Sequence, residues 1–269
     1  MNAQNATNNY KWLIPSNRLT SEPELWKEHE DYNAKVFSLT EDPALCETLI
    51  GDIPNSPQIE VLIPGCGSLI KLQEELLKKC PYIGKVWCTD LSQIAINLAK
   101  KNWATSNFCR ETVEFAEVNS ANLTEIRPNW NNHFDYILVV NSVLSSKDEE
   151  NRQMIGEFYK ALKPGGKLYG FFPTVFCGLE IAHLVKDRAY RLTDGTINLP
   201  YSSIYENKQN RYQIFYTPLR LNRIFKEAGF KRLSFEIYFC DSKYFNTKEI
   251  YGYDDPDICI WEFLVKLEK

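Results

Sequence analysis

Glu60-Val61-Leu62-Ile63-Pro64-Gly65-Cys66-Gly67-Ser68-Leu69-Ile70 is an apolar run that meets two closely spaced glycines and then a helix-forming segment. Glycine supplies backbone angles that other residues avoid. Lacking Cβ, it lets the chain approach a ligand, while the first amides of the following helix point at that ligand. Many strand ends carry glycine for turning alone, so the run has to be read with its surroundings. The next apolar run, Lys85-Val86-Trp87-Cys88-Thr89, ends in Asp90. That acid falls about twenty residues beyond the glycines, where a ribose-binding carboxylate belongs. Together the two features read as a nucleotide-binding turn.

Outward from this turn, strands and helices alternate. The pattern predicts a strand to Ile63, a helix over Leu69–Lys79, a strand over Lys85–Thr89, a helix over Gln93–Trp103 and strands over Thr112–Val118 and Phe134–Val140. A helix over Glu149–Leu162 stops at Lys163-Pro164-Gly165-Gly166 and is followed by a strand over Lys167–Phe172. Such βαβ repetition implies an α/β fold with a mainly parallel sheet, whose ligands sit at the carboxyl ends of the strands. The stretch Pro173 to Tyr216 breaks the rhythm and is too long for an ordinary connection. It is expected to be an inserted lid, 173–216, with a helix over Cys177–Arg188. Helical spacing returns over Pro218–Ala228, and Lys231–Phe239 and Ile258–Lys266 read as two closing strands. The loop between them, Cys240 to Asp257, is rich in Asp and Tyr. On the other side of the turn, residues 1–57 read as an N-terminal helical cap on a main domain 58–269. Within that cap, Ser21-Glu22-Pro23-Glu24 opens a helix running to Asn33, and Asp42-Pro43 opens one running to Ile50.

The chain has 269 residues, 44% of them hydrophobic, enough for a substantial core. Its 31 basic and 35 acidic side chains give a formal net charge of −4 with no Lys/Arg block, which argues against a nucleic-acid partner. Eight cysteines are scattered without a C-x-x-C pair, so neither a disulfide framework nor a zinc site is indicated. No run of eighteen apolar residues occurs, and Met1 to Asn9 is polar and Asn-rich, so no membrane span or secretion signal is expected and a cytoplasmic location is.

Taken together, these segments resemble the class I S-adenosylmethionine (SAM) dependent methyltransferases from about Glu60 to Lys269. Ile63 to Ser68 is similar to the family's glycine motif, Thr89-Asp90-Leu91-Ser92 to its acidic second-strand end, and Phe134-Asp135-Tyr136-Ile137 to its fourth strand. Ala161 to Leu168 matches the segment before strand five, and Leu219 to Phe239 the start of its closing antiparallel pair. The resemblance implies a Rossmann-like seven-stranded, mostly parallel sheet with a C-terminal antiparallel hairpin. It also implies a cofactor, SAM, and a site for it. Pro64, Gly65, Cys66, Gly67 and Ser68 would meet its methionine end, and Asp90 with Leu91 its ribose. Asn119 and Ser120 would meet the adenine, the Asn119 carbonyl accepting from the exocyclic amine, and Val140 and Asn141 would border the methionine moiety. Departures from the family pattern are Ile63 in place of an acid, Leu69 in place of a third glycine, and Asn119 in place of Asp.

The function so implied is transfer of a methyl group to a nitrogen or oxygen of a small molecule, nitrogen being favoured by acids Asp241, Asp254, Asp255 and Asp257 in the final loop. Phe172, Tyr201, Tyr205 and Tyr212 are candidates for the acceptor pocket, because aromatic faces attract a cation or stack on a flat ring. No catalytic base is singled out. His183, in the inserted helix, has the best neighbourhood of the three histidines, and Cys66 reads as a small residue in a crowded turn. Two other readings share some features: an inactive methyltransferase-fold binding partner, and an NAD-dependent dehydrogenase. The latter lacks G-x-G-x-x-G here. The oligomeric state leaves no signature in the sequence.

Overall fold

The strand that leads into the glycine turn is an interior strand of the molecule's main sheet. The computed structural model describes residues 39–145, 147–184, 197–198, 203–206, 211–240 and 260–269. In chain order the elements are α1 (Pro43–Ile50), β1 (Glu60–Pro64), α2 (Lys71–Lys79), β2 (Lys85–Asp90), α3 (Gln93–Ala104) and β3 (Val113–Glu117). They continue through α4 (Leu123–Ile126), β4 (Phe134–Val140), α5 (Asp148–Ala161), β5 (Leu162–Pro173) and α6 (Val175–Leu184). Three short strands follow, β6 (Ile197–Asn198), β7 (Ser203–Glu206) and β8 (Arg211–Ile214), then α7 (Pro218–Ala228), β9 (Lys231–Cys240) and β10 (Ile260–Glu268).

The main sheet has seven strands in the order β3-β2-β1-β4-β5-β10-β9. From β3 through β5 neighbouring strands are parallel, and β10 pairs antiparallel with both β5 and β9. This is the Rossmann-like sheet with an antiparallel hairpin that the sequence predicts. Helices cover both faces. One face packs Leu45, Leu49, Leu72, Leu76, Ile96 and Trp103 of α1 to α3, and the other packs Ile155, Phe158, Leu221, Ile224 and Phe225 of α5 and α7. Central strands are therefore apolar on both sides: Ile137 and Leu138 of β4 point to opposite faces and both are fully buried.

Local chemistry starts and stops these helices. Asp42 Oδ1 accepts from the Ala44 amide at 2.9 Å with Pro43 in the first turn of α1, and Ser92 Oγ accepts from Ala95 to open α3. Thr217 caps α7 in the same way, with Pro218 behind it. The helix ends at Gly229, whose φ of +102° is left-handed.

The structure differs from expectation in several places. Lys163-Pro164-Gly165-Gly166 is not a separate turn before the strand: β5 begins at Leu162, directly after α5, and the ladder to β4 shifts register there. Leu162 precedes the dipeptide Lys163-Pro164 and is already extended, and the residue before a proline avoids the helical region. The four residues bulge toward the end of the chain, where Gly165 N donates to Lys269 O and Lys269 N donates to Gly166 O. The inserted helix starts at Val175, two residues before the expected Cys177, and the insertion also holds the three-stranded sheet β6-β7-β8, which the sequence reading did not anticipate. Short turns between Ser120 and Trp130 were likewise unassigned. The helix expected from Ser21 to Asn33, Tyr201 and the acidic loop with Asp241, Asp254, Asp255 and Asp257 lie outside the described residues.

Candidate functional site

Strand order reverses between β1 and β4: the chain runs from β1 outward to β3, then returns to β4 on the other side of β1. At such a switch point the loops leaving neighbouring strands diverge and open a crevice at the carboxyl edge. A cavity of about 380 Å³ lies there, lined by Gly65, Gly67, Asp90, Leu91, Asn119, Ser120 and Asn141 among others. Its floor is the glycine turn, where Gly65 (φ +62°) and Gly67 (φ +61°) both adopt left-handed backbone. Gly65 also faces the loop after β4 so closely that a Cβ would stand 2.2 Å from Ser142 Cβ.

Asp90, only 6% exposed, ties the cavity's two adjoining turns together. Its Oδ2 accepts from the Gly67 amide and its Oδ1 from the Ser92 amide, both at 2.9 Å. The acid thus fixes the glycine turn besides presenting the kind of acceptor that a ribose diol takes. Asn119 Oδ1 accepts from Ala121 N at 2.9 Å and its backbone carbonyl from Asn122 N, so both oxygens hold the short helical turn beyond β3. The far wall comes from α5, which contributes Glu150, Gln153 and Met154. Gln153 Nε2 donates to Asn122 Oδ1, another lining residue, at 3.0 Å. Asn151 clamps the loop after β4 onto α5: its Oδ1 accepts from Ser145 N, and its Nδ2 donates to Ser145 O at 2.7 Å.

Residues 61–166, which hold the glycine turn, Asp90 and the β4 loop, match a family model described as a methyltransferase domain. No curated protein matches the sequence. Among solved structures, a SAM-dependent methyltransferase from Anabaena variabilis superposes with a TM-score of 0.64 at 11% identity, covering 94% of this chain and 97% of that one. One from Methanosarcina mazei gives 0.57 at 19% identity, covering 80% and 93%. Magnesium protoporphyrin IX methyltransferase from Synechocystis, solved with bound SAH, gives 0.57 at 12% identity, covering 99% and 95%. At these identities the structural likeness is one of fold, and the family model adds the domain. Residues 61–166 are thus a methyltransferase domain, set in a fold shared with SAM-dependent methyltransferases.

SAM, the cofactor named for these structural neighbours, is the one that a methyltransferase domain of this fold implies, and the residues present fit it. Two left-handed glycines bring bare backbone to the cavity floor, a buried acid stands one strand away, and Asn141 Oδ1 is a buried acceptor with no partner among the described residues. The sequence-predicted set divides in two. Gly65, Gly67, Asp90, Leu91, Asn119, Ser120 and Asn141 line the cavity, whereas Pro64, Cys66, Ser68 and Val140 do not. Pro64 and Ser68 are buried behind the turn, and Cys66 and Val140 pack against the apolar core. Burial holds the Cys66 thiol well above its usual pKa, which disfavours the thiolate.

Phe172 needs correction as an acceptor-pocket residue. It is 1% exposed and packed edge-on against Tyr216 and Phe225, because α7 covers that end of β5. Tyr216 is also internal, its hydroxyl donating to Val143 O at 2.7 Å. Tyr205 and Tyr212 are backbone register partners on β7 and β8. His183 is exposed in the last turn of α6 and is not among the cavity-lining residues. His133 sits at the opposite, amino end of β4, bonded to Glu60.

Glu262 is a buried acid bonded to a cavity-lining residue that sequence reading passed over. It lies in the apolar strand Ile260-Trp261-Glu262-Phe263-Leu264-Val265, is 6% exposed, and its Oε1 accepts from Asn141 Nδ2 at 2.8 Å. Burial pushes its carboxyl up to about 8, with the Asn141 hydrogen bond pulling the other way. A lone acid within the otherwise apolar run 260–265 was the available signal. Asn141 itself takes a φ of +47°, a left-handed conformation that Asn tolerates better than most residues.

Proposed function

We propose that this methyltransferase acts on a small molecule, transferring the methyl group to a nitrogen, with an oxygen acceptor as the lesser alternative. The observation that carries this reading is the convergence of Gly65, Gly67, Asp90, Asn119, Ser120 and Asn141 on one cavity at the switch point of the sheet. Bound SAM supplies a methyl group on a positively charged sulfur, open to direct displacement by an acceptor lone pair. In this reading the glycine turn lets the backbone approach the methionine end, and Asp90 accepts from the ribose hydroxyls. Asn119 and Ser120 border the adenine, and Asn141 borders the methionine end from the other side. The chain's task is then to orient the acceptor in line behind the sulfur and to keep water out, which can supply much of the acceleration without a dedicated base.

An amine acceptor must present its lone pair, and a pocket that excludes water favours the neutral amine by lowering its pKa. Acids of the 241–257 loop and the tyrosines of the insertion support a basic acceptor. The acidic overall balance and the sequence Asn141-Ser142-Val143-Leu144 after β4, in place of an Asn-Pro-Pro-Tyr type motif, speak against a macromolecular one. That a neighbour of the same fold is named for magnesium protoporphyrin IX supports the small-molecule class. Among the described residues, no helix is long and apolar enough to cross a membrane.

The test is a screen of amines, phenols and carboxylic acids with SAM, reading out S-adenosylhomocysteine and product mass. Turnover of small amines is expected. Product formed only with protein or nucleic acid would overturn the small-molecule reading, and turnover of oxygen acceptors alone would overturn the preference for nitrogen.

A further inference from the structure

Half-buried Asn141 and buried Glu262 form a pair whose hydrogen bonding is incomplete as an amide and an ionised acid. Asn141 Nδ2 donates to Glu262 Oε1 at 2.8 Å. The other oxygen of each group, Asn141 Oδ1 and Glu262 Oε2, is buried with no hydrogen-bond partner among the described residues. Two lone-pair oxygens cannot satisfy each other. One proton on Oε2 changes that, because a protonated carboxyl donates as well as accepts and can close a two-bond ring with a primary amide: N–H to Oε1, O–H to Oδ1. Without that proton, both buried acceptors carry their full desolvation penalty. The pair adjoins the cavity through Asn141, which lines it, while Glu262 stands behind Asn141 on β10, opposite Pro173 of β5 and Tyr238 of β9.

We propose that Glu262 is a positioning residue that acts on the methyl donor through Asn141: it keeps a proton in the ligand-free protein and releases it to solvent when the cationic sulfonium ligand binds. Loss of that proton leaves a carboxylate as counter-charge to the ligand. It also frees Asn141 Oδ1, still oriented by the Nδ2–H bond to Oε1, to accept from the ligand's ammonium group. The inference rests on SAM being the ligand of this cavity.

The surrounding titratable groups are otherwise engaged. Tyr238 donates its hydroxyl to Asp42 Oδ2 at 3.1 Å, and Glu180 on α6 accepts from Trp261 Nε1 on the neighbouring residue of β10. His183 is exposed at the far end of α6. Across the cavity, Asp90 holds the Gly67 and Ser92 amides, and Glu150 accepts from Ser145 Oγ. Burial therefore dominates the acid, whose pKa stands at about 8, and an arriving positive charge lowers it.

Calorimetric titration of SAM into the full chain near pH 7.5, in two buffers of different ionisation enthalpy, counts the protons released. Wild type should release about half a proton more per SAM than Glu262→Gln, as expected when a ligand depresses an acid titrating near the working pH. Its SAM affinity, relative to that of the variant, should rise roughly tenfold between pH 6.5 and 8.5, the change that one pKa unit represents. S-adenosylhomocysteine, which lacks the sulfonium charge, should show a smaller difference. Equal proton counts in wild type and variant would overturn the proposal while leaving the cofactor reading intact. Absence of SAM binding by wild type would overturn both. Should the variant fail to fold, wild type alone decides: an equal proton count for SAM and S-adenosylhomocysteine overturns the proposal.

Discussion

At Gly65 two independent constraints meet, and they can be separated by mutation. Its φ of +62° is left-handed, and a Cβ would stand 2.2 Å from Ser142 Cβ. Gly65→Ala should therefore destabilise the fold by at least about 1 to 2 kcal/mol from backbone handedness alone, plus whatever the clash adds. Adding Ser142→Gly removes the clashing side chain but not the handedness, so urea midpoints should show partial recovery in the double variant. Full recovery, or none, would mean that only one of the constraints operates. Asp90 carries a second residue-scale expectation. Asp90→Ala deletes the acceptors of the Gly67 and Ser92 amides as well as the proposed ribose contact. SAM affinity should fall by an amount corresponding to roughly 1 to 3 kcal/mol per lost charged hydrogen-bonding group, measured by calorimetry on protein shown by its melt to be folded. Unchanged affinity would remove Asp90 from the site.

One helix, α5, builds the cavity wall and holds the loop opposite it. Asn151 is fully buried and makes hydrogen bonds to Ser145 N, Ser145 O and Lys147 O. Asn151→Ala should cost about 1 to 3 kcal/mol, because the buried Ser145 amide loses its acceptor. It should also weaken SAM binding, since the released loop carries Asn141, Ser142 and Ser145 of the lining. A variant destabilised to that extent but binding SAM normally would show that the clamp serves the fold alone. Elements of this kind mark what the sequence makes legible. The glycine turn and Asp90 could be read because strand, turn and acid follow each other within thirty residues, and α1 and α7 because Asp42, Thr217, Pro43, Pro218 and Gly229 punctuate them. Phe172 was misplaced for a physical reason: alternation says which face of a strand a residue takes, but both faces of β5 are covered, and the covering helix comes more than forty residues later. Glu262 escaped because its partner, Asn141, is 121 residues away in sequence.

Across the whole molecule, ionisation should squeeze stability from both sides of neutral pH. Asp148 is half-buried, and burial alone would raise its pKa. Arg220 and Arg152, joining α5 to α7, outweigh that and hold it below the ordinary value of 3.8. Glu157 is likewise lowered against its burial, by Lys160 and by the amide and hydroxyl of Thr124. For these two acids the unfolded chain binds protons more readily than the native one, so their stabilisation is present above the ordinary carboxylate range and is lost as pH falls through their folded values, which lie below the ordinary 3.8 and 4.5. Glu262 has the opposite sign. Its carboxyl is raised from 4.5 to about 8, so between those values the native state holds a proton that the unfolded chain has given up. Stability must then fall as pH rises through that interval and level off beyond about 8. Urea unfolding of the ligand-free protein from pH 3 to 9 should show a maximum on the acid side of neutrality. Glu262→Gln removes the titrating group, keeps an oxygen for Asn141 Nδ2 and supplies a donor for its Oδ1. In that variant the decline between pH 5 and 8 should flatten while the acid limb stays, and Asp148→Asn with Glu157→Gln should flatten the acid limb alone. A Glu262→Gln profile that declines as steeply as wild type over that interval would show that the buried acid does not titrate there.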